Sequence, residues 1–211
     1  MVEHSDKYKN LMRVYFFTLL LLIFMTGCKS DNVNQKVNIE LLKDGSISIG
    51  SVYWKYESHK YGQFENTTTK DFTGSISTER FSTNPSSLKI SRQRITETDR
   101  SASWYQEVTN PSIPKGSNLV LRAKIRTEKI EGGTVAMYIY GLFDNKKKEN
   151  FFRTTEGIQK IEGTSDFKEY TLRFDNYVDK FSPTEILVVG LIISGSTTGD
   201  VYFDDISLLI E

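Results

Sequence analysis

Tyr138 and Tyr140 stand two residues apart in a stretch where Val135, Met137 and Ile139 fill the alternate positions. In an extended strand successive side chains point to opposite faces, so the tyrosines share one face and the aliphatic residues the other. Arg122, Lys124 and Arg126 stand in the same relation to Leu121, Ala123 and Ile125, and Tyr105 and Glu107 to Trp104, Gln106 and Val108. The turn at Glu131-Gly132-Gly133 is short enough to make 119–127 and 135–143 antiparallel neighbours, which would put the tyrosines and the basic trio on one surface. Tyr105 and Glu107 join them if their strand lies in the same sheet. Sugar rings stack their C–H faces on aromatic rings and hydrogen-bond through hydroxyls to Arg, Gln and Glu. These residues therefore predict a shallow glycan groove. Tyr138 and Tyr140 are its stacking platforms, Arg122 is a donor, and Arg126, Tyr105 and Glu107 line it. The alternative is that the tyrosines are ordinary strand residues and the cations a solvated face that discourages edge pairing.

Little else in the chain is equipped for chemistry. Asp204-Asp205 is a tight acidic pair in a strand-like stretch; on its own it caps a turn or accepts from nearby backbone N–H groups. Glycoside hydrolysis needs two carboxylates at a set separation, one with a raised pKa, and no pair stands out by spacing. There is no phosphate-cradling glycine loop, nucleophile elbow or zinc motif. With only His4 and His59, a multi-histidine zinc site is excluded and a histidine-dependent triad disfavoured. The 27 basic residues balance 27 acidic ones, so no electrostatic footprint for nucleic acid exists. The expectation is a binding protein, not an enzyme.

The N-terminal part sets the location. An apolar run from Val14 to Met25 spans about twelve residues, against the roughly 20 a membrane helix needs. Lys7, Lys9 and Arg13 precede it, and Met12 offers a second start that would give a more compact leader. Thr26-Gly27-Cys28 resembles the lipobox of bacterial lipoproteins, in which the cysteine thiol takes a diacylglycerol and becomes the new N-terminus. The resemblance implies a removed leader over 1–27, a lipidated Cys28 with a polar tether over 28–37, and a domain over 38–211. Acyl chains add about 0.8 kcal/mol per buried CH₂, so several hold the protein to a membrane. Lys29, not aspartate, follows the cysteine. By resemblance to sorting in Gram-negative cells, that favours the outer membrane. The alternative is a secretory leader cut near Thr26, with Cys28 a free thiol. Cys28 is the sole cysteine, so no intramolecular disulfide forms.

From Val37 the sequence reads as short strands. Leu41-Leu42-Lys43 runs into an Asp-Gly turn, and Val52-Tyr53-Trp54-Lys55-Tyr56 alternates with Val52, Trp54 and Tyr56 on one face. A polar stretch over 57–70 follows, with Tyr61 and Phe64. Strands are predicted within 72–81 and over 88–91, 103–108, 119–127, 135–143, 167–174, 186–193 and 201–210, with another beginning at Phe152. Asp144 to Lys148 is a hairpin tip. Ile186 to Ile193 is apolar at nearly every position, as in a central strand covered on both faces. Trp54 and Trp104 are assigned to the core. No stretch has helix caps and a 3.6-residue stripe. An antiparallel β-sandwich follows.

The closing segment, Gly199-Asp200-Val201-Tyr202-Phe203-Asp204-Asp205-Ile206-Ser207-Leu208, resembles the last strand of jelly-roll carbohydrate-binding modules of families four, nine and twenty-two. More loosely it resembles the galactose-binding-domain-like superfamily. Leu41 to Ser46, Ser86 to Ile90, Trp104 to Val108 and Ser165 to Tyr170 fall in that family's order. The resemblance covers roughly residues 38–211. It implies a jelly roll, a carbohydrate partner, and a structural calcium ion bound through Asp204 or Asp205 with backbone oxygens. The family's acidic residue after the opening strand has no firm match. The rival partner is another envelope protein docked on the same sandwich.

The lipid anchor is directly testable. Expressed in a bacterium, the wild type is expected to partition with membranes and incorporate labelled fatty acid, and Cys28→Ala to do neither. Equal labelling of the two would dismiss the anchor.

Overall fold

A computed structural model describes residues 38–60, 71–83 and 85–211. The leader, Cys28, the tether, and the stretch holding Tyr61 and Phe64 lie outside the described residues. Val37–Glu211 forms a compact unit with its own core, the condition for folding alone.

Eleven strands are described: β1 (Ile39–Glu40), β2 (Lys55–Lys60), β3 (Thr73–Ser77), β4 (Ser87–Arg92), β5 (Arg100–Thr109), β6 (Leu119–Glu131), β7 (Thr134–Phe143), β8 (Lys148–Thr154), β9 (Gly163–Phe174), β10 (Ile186–Ser194) and β11 (Thr198–Ile210). They make two antiparallel sheets. The first runs β3-β4-β11-β6-β9, with β1 pairing the end of β11; the second runs β2-β5-β10-β7-β8. The architecture is a jelly-roll β-sandwich, and the described residues contain no helix. Apart from β3–β4 and β7–β8, successive strands alternate between the sheets.

Period-two patterning explains which faces meet. Leu119, Leu121, Ala123 and Ile125 of β6, with Val201, Phe203 and Leu208 of β11, are fully buried against Met137 and Ile139 of β7 and Leu187, Val189, Leu191 and Ile193 of β10. Burying one such large side chain contributes about 1.5–3 kcal/mol. Trp54 and Trp104 sit in this core; Trp104 Nε1 donates to Lys89 O at 3.0 Å and Trp54 Nε1 to Asp44 O at 3.2 Å. Val52 does not follow the alternation expected of it: β2 begins at Lys55, and Val52 is 70% exposed in the preceding loop. The strand expected from Phe152 starts instead at Lys148, the last residue of the expected hairpin tip.

Glu131-Gly132-Gly133 is not a hairpin. β6 pairs β11 and β9 in the first sheet, whereas β7 pairs β10 and β8 in the second. The chain therefore changes sheets at the two glycines. A second crossover, from Ser194 to Thr198, lies beside it: Thr198 pairs Glu131, and Ser194 pairs Thr134. Gly133 has φ +54°, and a Cβ there would stand 2.0 Å from Thr197 Oγ1 and 2.4 Å from Ser194 O, so only glycine fits.

Arg92 clamps this corner. Its side chain is fully buried; Nη1 donates to Gly195 O at 2.5 Å, and Nη2 to Glu97 O at 2.6 Å and Asp71 Oδ2 at 3.3 Å. The guanidinium lies 4.3 Å from the Phe72 ring centroid. The Thr96 hydroxyl and N–H, with Arg92, hold the Asp71 carboxyl below its usual range despite burial. Arg92→Met strands a buried carboxylate and frees three segments at once. Urea unfolding of the fragment starting at Val37 is expected to show a loss of about 3–5 kcal/mol. A loss under about 1 kcal/mol would show that the clamp is dispensable.

Candidate functional site

The outer face of the second sheet reads as rows across its strands. One row holds Lys55, Tyr105, Gly190, Tyr138 and Thr154; the next holds Glu107, Val188, Tyr140 and Phe152. On the far side of the Gly190 row come Glu57, Ser103, Ile192 and Ala136. Tyr138, Ile186 and Val188 form an apolar cluster, against which Tyr105, Tyr140, Leu142 and Ile192 pack. This is why β10 is apolar on both faces: one side meets the core, the other lies under aromatic rings.

Gly190 gives the face its shape. A Cβ there would fall 2.0 Å from Tyr138 Cζ, so the Tyr138 ring crosses β10 through space that any side chain would occupy. Its hydroxyl reaches Ser103 Oγ at 3.4 Å. The Tyr140 ring lies 5.8 Å from that of Tyr138 with planes 21° apart, and Phe152 lies on Tyr138 at 6.3 Å and 24°. Three near-parallel rings thus line β7 and β8. Phe152 is 43% exposed, Tyr140 and Tyr105 are half-buried, and Tyr138 is 9% exposed. Burial pushes the Tyr140 hydroxyl up to about 12 and raises Tyr138 further, so both stay neutral donors at physiological pH.

Charge sits at the margin. Glu107 accepts from Lys55 Nζ at 3.0 Å and from Lys146 Nζ at 3.3 Å. Burial opposes the Glu107 charge, but the two ammonium groups outweigh it and hold the carboxyl below its usual range. Lys55 also lies 5.7 Å from the Tyr105 ring centroid. Across the face, burial raises the Glu57 carboxyl.

The structure therefore brings together Tyr105, Glu107, Tyr138 and Tyr140 and separates Arg122 and Arg126 from them. Both arginines project from β6 on the outer surface of the other sheet, because the double-glycine segment crosses between sheets. There they belong to a grid of ion pairs. Arg122 pairs with Glu211 at 3.3 Å, and Arg126 with Glu128 at 3.1 Å and Asp166 at 2.7 Å. A cleft of about 360 Å³ on that sheet is bordered by Gln93, Glu128, Lys129 and Asp200. It has no aromatic wall, and two of its three carboxylates are already engaged: Asp200 by Lys89 at 2.7 Å, Glu128 by Arg80 and Arg126. Tyr138 also differs from expectation, being an almost covered base for its neighbours and not an open platform.

Sequence reasoning passed over Phe152, Gly190, Lys55 and Lys146. The adjacent Phe151-Phe152 pair carried a signal, since neighbouring residues in a strand must point to opposite faces. Phe151 enters the core, which leaves Phe152 on the tyrosine side.

Asp204 and Asp205 hold a loop in place. Asp204 Oδ2 accepts from the N–H groups of Ser82 at 2.7 Å and Thr83 at 2.8 Å, and Oδ1 from Asp205 N at 2.8 Å. Asp205 Oδ2 accepts from the hydroxyls of Ser82 and Thr83 and from Lys124 Nζ at 2.9 Å. Burial raises the Asp204 carboxyl; for Asp205, the hydroxyls and Lys124 outweigh burial and lower it. N–H donors and an ammonium occupy the directions in which a calcium ion needs oxygens, so the pair as arranged does not fit a calcium cage. Among the described residues, no group of three or more His, Cys, Asp or Glu is placed to hold a metal.

No protein-family model and no curated protein matches the sequence. Solved structures do share the fold. The enzymatically active domain of tailspike protein 4 from bacteriophage CBA120 matches over 82% of this chain at 12% identity and TM-score 0.55, but this chain spans only 22% of its length. The Stig cyclase Fisc from Fischerella sp. TAU matches over 82% of this chain and 98% of its own, at 14% identity and TM-score 0.57. The family 11 carbohydrate-binding module from Clostridium thermocellum, in complex with a β-1,3-1,4-mixed-linked tetrasaccharide, matches over 82% and 95%, at 14% identity and TM-score 0.52.

The donor arrangement around Asp204 and Asp205 has a thermal consequence. Metal-stripped protein is expected to melt at the same temperature with and without millimolar calcium. A bound ion at a hundredfold excess over Kd would add about 2.7 kcal/mol. A calcium-dependent rise that Asp205→Ala abolishes would make the pair a cation site.

Proposed function

We propose that the protein is a non-catalytic lipoprotein of the bacterial cell envelope, anchored through Cys28, whose sandwich binds carbohydrate on the outer face of the second sheet. The observation that carries this reading is the set of near-parallel rings of Tyr138, Tyr140 and Phe152, with Tyr105 across Gly190. Such a strip offers flat apolar area for the C–H faces of sugar rings. Glu107, with Lys55 and Lys146 beside it, supplies donors and an acceptor for hydroxyls at the strip's margin. The tetrasaccharide bound by the Clostridium thermocellum module on the same fold supports the choice of ligand class. Lys29 after the lipidated cysteine favours the outer membrane.

A second reading, docking of another envelope protein, is favoured by one loop, where Ile49, Val52 and Tyr53 are exposed together. It becomes the better one if no glycan binds.

The fragment starting at Val37 is expected to bind at least one glycan on a broad panel. Tyr140→Ala and Phe152→Ala should each weaken that binding by about tenfold or more while lowering stability by about 1 kcal/mol. Tyr138→Ala should cost about 3 kcal/mol of stability, since its ring is buried. Unchanged affinity in both Tyr140→Ala and Phe152→Ala, measured by calorimetry, would place the groove elsewhere.

A further inference from the structure

The aromatic strip leads into a cleft of about 300 Å³ lined by Thr109, Asn110, Asn145, Lys146, Glu185 and Ile186. Thr109 and Leu142 flank Ile186 on the sheet, so the cleft lies one row beyond Glu107, Val188 and Tyr140. That is a step of two residues, about 6.6 Å along the strands. Its apolar side is Ile186, which is 6% exposed. Its polar side is two turns locked to one residue. Asn110 N donates to Glu185 O at 2.7 Å, Glu185 N to Leu142 O at 2.8 Å, and Asn145 N to Glu185 Oε2 at 3.0 Å. Asn110, Asn145 and Lys146 all hold positive φ, at 48°, 54° and 68°. Lys146 reaches back to Glu107, so cleft and strip share a side chain.

Resting on the carbohydrate reading, we propose that this cleft receives the terminal residue of the glycan, making the protein a reader of chain ends and not of chain interiors. A chain laid along β10 over Tyr138 and Tyr140 meets the turn at Asn145 and Lys146 just past Ile186. The cleft volume lies at the bottom of the range for ligand pockets, room for a single ring. Amide and carboxylate groups around an apolar floor suit the hydroxyls of one neutral sugar. Among the described residues the side-chain amides of Asn110 and Asn145 make no hydrogen bond, so their donors and acceptors remain for a ligand.

The test uses short linear glucans, galactans and xylans in three forms: unmodified, reduced to the alditol at the reducing end, and methyl-capped at the other. The wild-type fragment starting at Val37 is expected to lose about tenfold in affinity when one particular end is altered and to tolerate alteration of the other. Asn110→Gly and Asn145→Gly delete the amides while keeping the positive φ that glycine adopts freely, so folding is retained. Each is expected to erase the discrimination between ends, with the unmodified oligosaccharide bound more weakly. Equal binding of all three forms by the wild type, or discrimination that survives both substitutions, overturns chain-end recognition and leaves the carbohydrate reading standing. Failure of every oligosaccharide to bind overturns the carbohydrate reading itself, and this proposal with it.

Discussion

Arg92 and the glycine pair at 132–133 hold the corner on which the rest of the sandwich depends. At that corner β6 passes to β7 and β10 passes to β11, each leaving one sheet for the other. Crossing strands expose backbone carbonyls that neither ladder can use, and unpaired buried carbonyls are expensive. The guanidinium supplies a fork of donors to Gly195 O and Glu97 O from a fully buried position, and Asp71 balances its charge. The double glycine lets two backbones approach where a Cβ would collide. Because both crossovers occur together, β6 and β11 remain neighbours in one sheet while β7 and β10 remain neighbours in the other.

Two outer surfaces of opposite character follow. Outside the first sheet, Arg122, Lys124 and Arg126 alternate with the core-facing residues of β6 and meet Glu211, Asp205, Glu128 and Asp166. Exposed pairs of this kind contribute about 0–1 kcal/mol each, and they leave little unneutralised charge for a ligand. The outer side of the second sheet carries instead an apolar cluster, tyrosine hydroxyls and a few margin charges. A β-sandwich needs only its inner faces to be apolar. A second apolar cluster lies outside the core here, ordered by ring stacking, and it is the surface on which the carbohydrate proposal rests.

Period-two alternation made the faces of β5, β6 and β7 legible, since a one-residue slip would invert every side chain. The central place of β10 was legible from its unbroken apolar run. Sheet membership was not, and with it Arg122 and Arg126, two of the six residues of the expected groove, were misplaced. Glu131-Gly132-Gly133 has the local chemistry of a hairpin and of a crossover alike; the difference lies in Thr197 and Ser194, more than sixty residues away in the chain. Val52 misled for a related reason: alternation continues past the point where Lys55 finds its partner Tyr105, and only pairing ends a strand. The adjacent aspartates at 204–205 read as ion ligands by resemblance, yet their partners are the N–H groups and hydroxyls of Ser82 and Thr83, over a hundred residues earlier.

Gly190 shows why the site could not be assembled from strand faces alone. Within β10 it is the smallest residue in a row of Val, Leu and Ile, and in sequence it reads as a weakness in a central strand. In the sheet it lies between Tyr105 and Tyr138, and the missing side chain lets the Tyr138 ring lie down across the strand. That posture sets the plane on which Tyr140 and Phe152 stack, and it carries the Tyr138 hydroxyl to Ser103. Rings fixed by packing before a ligand arrives have already lost their rotamer freedom, so less ordering entropy opposes binding. The glycine thus spends some strand stability, about 0.5–1 kcal/mol relative to alanine, on a preorganised aromatic surface. On a face where solvent contact is the default, that ordering of rings is what the carbohydrate proposal draws on.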